Sequence, residues 1–296
     1  MTSSHRARRR AAKIAFWFMA TISPKVEARI KEALKRFQPV IEQAKLRDIG
    51  EADTSTLVKD ILAELFGYDK YSEITAEFQI KGTYCDLAIK INGKLVLLVE
   101  VKAVNIELKE AHTKQAIDYA ANQGVEWVIL TNAQSWMLYK VSFGQPISQD
   151  LLMLLNFQAL SAKNDSDMES LFLLTREAQG KSLLNDYHEQ RQALSRYCVG
   201  AVVLSEPVVS VIRRELKRLS PDVKIDVEEI ARVLTEEVIK RDILEGDRAT
   251  EAKKKLSRAA GKQLRAKADK DDAAPAHSTQ PPVPIANSEG TGTTTT

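Results

Sequence analysis

Within KLVLLVEVKAV, residues 94–104, a run apolar enough for a buried strand carries a carboxylate, Glu100, and an ammonium, Lys102, two positions apart. Removing either charge from water alone costs several kcal/mol, enough to cancel the benefit of burying a pair of leucines. Strand side chains alternate between faces, so Glu100 and Lys102 share one face and Val101 lies on the other. On strict alternation Leu95, Leu97, Val99 and Val101 form one continuous apolar face. Val96, Leu98, Glu100 and Lys102 form the second, apolar at its start and charged at its end. A carboxylate accepts a cation or a proton and an ammonium faces an anion, and a charged strand end beside a core is a common place to build an active site. Taken alone, the pair reads as an edge-strand ion pair. The apolar flanks, and a second carboxylate at Asp86 with thirteen residues between it and Glu100, favour a functional site.

The elements that must position these groups follow from periodicity. Val26, Ile30, Leu34, Phe37 and Ile41 predict an amphipathic helix over 24–47. A second helix is expected over 54–66, with Thr54 as N-cap and Gly67 closing it. SEITAEFQIKGTYCDLAIKINGKLVLLVEVKA then reads as strands with a hairpin at Asn92-Gly93. A helix over 107–122 and the strands EWVILTN and WMLYKV follow. From 150 to 246 the pattern is mainly helical, with Asp226 and Glu229 in a capping-box-like arrangement.

Parity makes the hairpin decisive. If Asn92-Gly93 is the whole loop, Ile91 faces Lys94, Asp86 faces Val99, and Asp86 lies across the sheet from Glu100. A three-residue loop Ile91-Asn92-Gly93 pairs Lys90 with Lys94 and returns Asp86 to the face of Glu100. That loop, or a bulge elsewhere that restores parity, is the expectation.

Charge is unevenly placed. Of 43 basic and 40 acidic residues, five basic ones lie in 1–18, and nine basic and six acidic ones lie in 247–296. Residues 19–246 keep 29 basic against 34 acidic, a net of −5, so they form no general phosphate-binding surface and any nucleic-acid contact must be local. Cys85 and Cys198 match no metal spacing, which fits a reducing, cytoplasmic compartment. The four scattered histidines argue against a zinc or histidine-based centre. Residues 1–18 superficially resemble a secretory signal, but the apolar stretch is short, broken by Lys13, and lacks a convincing cleavage site. They are read as disordered, or as lying upstream of a true start at Met19. No apolar run is long enough for a transmembrane helix. The Lys- and Ala-rich sequence after Gly246 and the Pro/Thr-rich end predict a disordered tail over 247–296. The domains expected are therefore 19–145, with the strands, and a helical region over 146–246. Arg213, Arg214, Lys217 and Arg218 on one predicted helix read as a solvated face. GKS at 180–182 is no phosphate loop, since Thr175 stands where a Walker motif needs glycine.

Asp86 and Glu100-Val101-Lys102 resemble the signature of the PD-(D/E)XK nuclease superfamily, with Cys85 in place of its proline. More closely, residues 51–141 resemble the N-terminal nuclease domain of type I restriction enzyme R proteins. EADTSTLVKDILAELFGYD, YCDLAIKINGKLVLLVEVKA, QAIDYAANQGVEWVILTN and WMLYKV carry the likeness in order, and Gln115 and Tyr119 match the Gln-xxx-Tyr element after the Glu-x-Lys strand. No motor motif is present. The resemblance implies an α/β, restriction-endonuclease-like mixed central sheet flanked by helices, followed here by the helical region and the tail. It implies a Mg²⁺-dependent DNA endonuclease of restriction or defence type, with Asp86 and Glu100 holding the metal. Lys102 would orient the attacking water or neutralise charge on the phosphate, and Gln115 would join the catalytic set and, with Tyr119, contact DNA. Glu51 matches a position where the superfamily often supplies a further acid ligand; a helix-start charge favoured by the dipole is the other reading, and both stay open. DNA, a second copy of the chain, and separate motor or specificity subunits are the partners implied, with no membrane. The competing function is a nucleic-acid-binding or regulatory protein that keeps the fold without efficient cleavage.

Overall fold

The computed structural model describes residues 22–80 and 83–271. The expectations for residues 1–18 and for the end of the tail lie outside them. The first helix, α1 (Pro24–Leu46), starts where Ser23 Oγ accepts from the Val26 N–H and Pro24 opens the first turn. The predicted stripe from Val26 to Ile41 is buried. Helix α2 (Glu51–Glu64) begins three residues earlier than expected, with Gly50 at its N-cap. Thr54 is therefore inside the helix: it is fully buried and its hydroxyl donates back to Gly50 O. The acids at Glu51 and Asp53 support the earlier start by meeting the positive end of the helix dipole. Gly67, at φ +81°, closes the segment as expected.

Six strands form one sheet in the order β1 (Ile74–Ile80), β2 (Thr83–Ile91), β3 (Lys94–Val101), β4 (Trp127–Thr131), β5 (Ser135–Ser142) and β6 (Ser148–Asn156). All neighbours are antiparallel except β3 and β4, which are parallel because helix α3 (Glu110–Gln123) carries the chain back between them. Both faces of the central strands are covered. On one, Val58, Ile61 and Leu62 of α2 and the α1 stripe pack against Leu97, Val99, Val101 and Ile129. On the other, Ala116, Ile117 and Ala120 of α3 pack against Leu98, Val128 and Leu130. Two covered faces explain why β3 and β4 read as nearly unbroken apolar runs.

The boundary expected at 145/146 is displaced. SQDLLMLLN forms β6, paired along β5, where a helix was expected. A leucine-rich run of this length satisfies a strand and a helix equally, and the free edge of β5 decides between them. Helices α4 (Asp165–Leu173), α5 (Arg176–Gly180) and α6 (Leu183–Ala193) follow, and Leu171, Phe172, Ala178 and Leu184 belong to the same core as α1 and α2. The first compact unit thus reaches Arg191, and the second starts at Gln192.

The second unit is helical: α7 (Arg196–Val203), α8 (Glu206–Leu219), α9 (Val227–Val233), α10 (Arg241–Leu244) and α11 (Asp247–Asp271). Asp226 caps α9, its carboxylate accepting from the Val227 N–H. Arg213, Arg214, Lys217 and Arg218 are solvent-facing, as expected. The disorder expected from 247 onward is corrected over α11, whose Ala249 and Ala252 are buried and which packs on α7. Small side chains made the stretch look coreless, yet they are what allows helices to approach closely. No helix among the described residues is long and apolar enough to cross a membrane.

Candidate active site

The β2–β3 hairpin sets the geometry. Ile91 pairs with Lys94, so the loop is the two residues Asn92 and Gly93, both left-handed at φ 53° and 76°. That is the turn whose twist suits a two-residue hairpin. The three-residue loop is thus replaced by the other expected device, a bulge. Lys90 pairs with Leu95 but Ile89 pairs with Leu97, which leaves Val96 as the extra residue of β3. The bulge also corrects strict alternation: Leu95 packs on the α3 side of the sheet, while Val96 joins Leu97 on the other. Beyond it Leu87 pairs with Val99, and the register brings Asp86 level with Glu100.

At Asp86 the second strand parts from the third. Its Oδ2 accepts from the Val101 N–H at 2.7 Å, a side chain taking the place of a main-chain acceptor. Across from it in β1, Glu77 is left-handed at φ 49°, and Cys85 is buried in the α3-side core. Lys102 follows the end of β3 and is tied to β4 by its N–H, which donates to Thr131 O at 2.8 Å. Its Nζ lies 2.8 Å from Glu100 Oε1 and 3.7 Å from Glu51 Oε2. Glu51 reaches this point from the first turn of α2 and is half-exposed.

Glu100 is 2% exposed, and while Oε1 is held by Lys102, Oε2 is buried with no hydrogen-bond partner. Burial pushes the Glu100 carboxyl up to about 7, against the hydrogen bond from Lys102 and with help from the charge on Asp86. Asp86 is raised too, mainly by burial, which outweighs the Val101 N–H and Lys102. Burial alone would lower the Lys102 ammonium, but its hydrogen bond to Glu100 and the nearby carboxylates lift it above its ordinary value. An uncompensated buried carboxylate oxygen is expensive to keep. A hard cation that prefers oxygen ligands and retains water in its shell fits Asp86 and Glu100. Among the described residues no three His, Cys, Asp or Glu side chains are gathered into a cation site.

Gln115 and Tyr119 lie one turn apart on α3, joined by a hydrogen bond from Gln115 Nε2 to Tyr119 Oη at 3.0 Å. With Lys114, Asp118 and Asn122 they line a surface hollow of about 410 Å³. Among the described residues no hydrogen bond or ion pair joins either to Asp86, Glu100 or Lys102. Sequence reasoning brought the acids, Lys102 and Glu51 together. It missed the support: the Val101 N–H, the Thr131 carbonyl and the left-handed Glu77, whose charge also raises Asp86. Main-chain groups leave no sequence signal, and glutamate has no special tolerance for a left-handed conformation.

Residues 57–151, about a third of the chain, match the family described as type I restriction enzyme R protein N terminus. No curated protein and no solved structure matches the chain. The matched stretch runs from α2 into β6 and contains Asp86, Glu100, Lys102, Gln115 and Tyr119, whereas Glu51 precedes it. In this stretch the chain resembles the N-terminal domain of type I restriction enzyme R proteins.

Proposed function

We propose that the protein is a Mg²⁺-dependent DNA endonuclease of restriction or defence type. The observation that carries this reading is the buried, unpartnered Oε2 of Glu100, level with Asp86 and beside Lys102. Asp86 and Glu100 are the metal ligands, and Glu51 is close enough to the same ammonium to contribute through water. There Asp86 and Glu100 would hold Mg²⁺, which would supply a water of lowered pKa and charge compensation at the phosphate. Without metal, Lys102 pairs with Glu100 and, at longer range, with Glu51. With the carboxylates holding a metal, the Lys102 ammonium would be placed to orient the attacking water or to face the phosphate oxygen. Gln115 and Tyr119 serve the DNA rather than the metal, since they bond to each other and line the surface hollow on α3. Separate motor or specificity subunits, and a second copy of the chain, are the protein partners this reading carries with it.

Plasmid DNA incubated with the full chain and Mg²⁺ should be nicked or cut, and EDTA should stop the reaction. Asp86→Ala and Glu100→Ala should abolish cleavage and weaken Mg²⁺ binding, because each removes a ligand. Lys102→Ala should lower cleavage by about a hundredfold or more while Mg²⁺ binds as well or better, because a nearby positive charge is gone. Absence of Mg²⁺-dependent cleavage on every DNA tried, modified DNA included, would instead support a DNA-binding or regulatory protein on the same fold.

A further inference from the structure

The β1–β2 pair outlasts the sheet it belongs to. Pairing between β2 and β3 stops at Leu87–Val99, yet β1 and β2 stay paired through Phe78–Cys85, Gln79–Tyr84 and Ile80–Thr83. From Asp86 outward the two strands therefore run on as a ribbon with no third strand beside them among the described residues. Tyr84 sits on this ribbon with more than half of its surface in solvent (56%), and Gln79 opposite it is exposed as well. Tyr84 presents an aromatic ring to solvent two positions along the strand from Asp86, where it is placed to meet a base of the substrate. Two residues of strand span about 7 Å, so the ring stands about one extended nucleotide from whatever phosphate Asp86 and Glu100 engage.

We propose that the ribbon is the DNA-contacting arm of this site and that Tyr84 stacks on an unpaired base next to the scissile phosphate. The inference rests on the nuclease reading above and names the form of DNA that reading left open. Charge favours stacking over backbone tracking: residues 19–246 carry a net −5, with Glu77 and Asp86 among their acids at the root of the ribbon. A base meets an aromatic face without needing cations, and the contact is indifferent to sequence. A fully paired duplex keeps its bases stacked inside, so the favoured substrate is single-stranded or locally unpaired DNA.

The test uses the full chain in EDTA, with fluorescein-labelled single-stranded, bubble-containing and fully paired DNA of one sequence, read by anisotropy. Wild type should prefer the first two. Tyr84→Ala and Tyr84→Leu should weaken binding to them by about five- to a hundredfold, and Tyr84→Trp should restore it. Mg²⁺ affinity should be the same in all variants, and cleavage by Tyr84→Leu should show a raised KM with kcat nearly unchanged. A base analogue beside the cleavage position, 2-aminopurine, should lose fluorescence on binding wild type and not on binding Tyr84→Leu. If wild type cuts DNA and Tyr84→Leu binds and cuts as well as wild type, the arm is wrong and the nuclease reading stands. Equal binding of paired and unpaired DNA overturns the stacking contact. If wild type neither binds nor cuts any of the three, the nuclease reading fails and this inference with it.

Discussion

At the scale of single residues, Glu100 is the group whose behaviour separates a metal site from a structural ion pair. Its folded-state pKa of about 7 stands above its unfolded value because burial disfavours the charge. A raised pKa means that the folded protein binds the proton more tightly. The stability contributed is full below the unfolded pKa and is lost as pH rises through about 7. In EDTA, wild type should therefore lose more of its melting temperature between pH 5 and pH 8 than Glu100→Gln, which has no charge to bury. The extra stability lost by wild type over that range should be up to about 3 kcal/mol. Equal losses would mean that Glu100 is ionised at little cost and that Lys102 alone satisfies it. With Glu100 as the proposed Mg²⁺ ligand, metal and proton would compete, and Mg²⁺ affinity followed by calorimetry should climb through that pH range. Asp86, raised in the same direction, steepens the climb.

At the scale of elements, the hairpin decides whether two carboxylates meet at all. A two-residue loop alone would have put Asp86 and Glu100 on opposite faces; Val96 supplies the odd residue that brings them level. The turn can be tested apart from the chemistry. With both loop residues left-handed, Asn92→Val should destabilise the protein by about 1–2 kcal/mol in urea unfolding, because a β-branched side chain resists that conformation. In a three-residue loop Asn92 would not be left-handed, and the substitution would be nearly silent. The same hairpin marks how far the sequence can be read. Helix α1, the order of the first five strands and the Asp86, Glu100 and Lys102 set were legible, because each rests on periodicity or on residue type. The bulge was legible only as a need, since parity demanded one extra residue without saying where. The N-cap of α2 was placed at Thr54, which instead lies inside the helix, buried and with its hydroxyl donating to Gly50 O. Strand β6 was missed because Leu151, Leu152, Leu154 and Leu155 suit a helix until β5 offers an open edge.

At the scale of the whole molecule, charge and order part company. Basic residues gather toward the two ends while residues 19–246 are net acidic, so DNA affinity should be modest and should fall with salt by a shallow slope, as few phosphates are contacted. The second unit carries a clearer consequence. Its sequence after Gly246 looks dispensable, yet Ala249 and Ala252 are buried and α11 lies along α7. At Gly200 of α7 an added Cβ would meet Ile243 Cγ2 at 2.8 Å, so small residues set the spacing on this helix toward α10 as well. Truncating the chain after Gly246 removes both alanines and strips α7 of its neighbour. Hydrogen exchange should then show α7 losing protection, while β2, β3 and α2 of the first unit exchange as in the full chain. Truncation after Asp271 should leave both units unchanged. If the chain ending at Gly246 protects α7 as well as the full chain does, α11 adds nothing to the second unit and its two buried alanines are incidental.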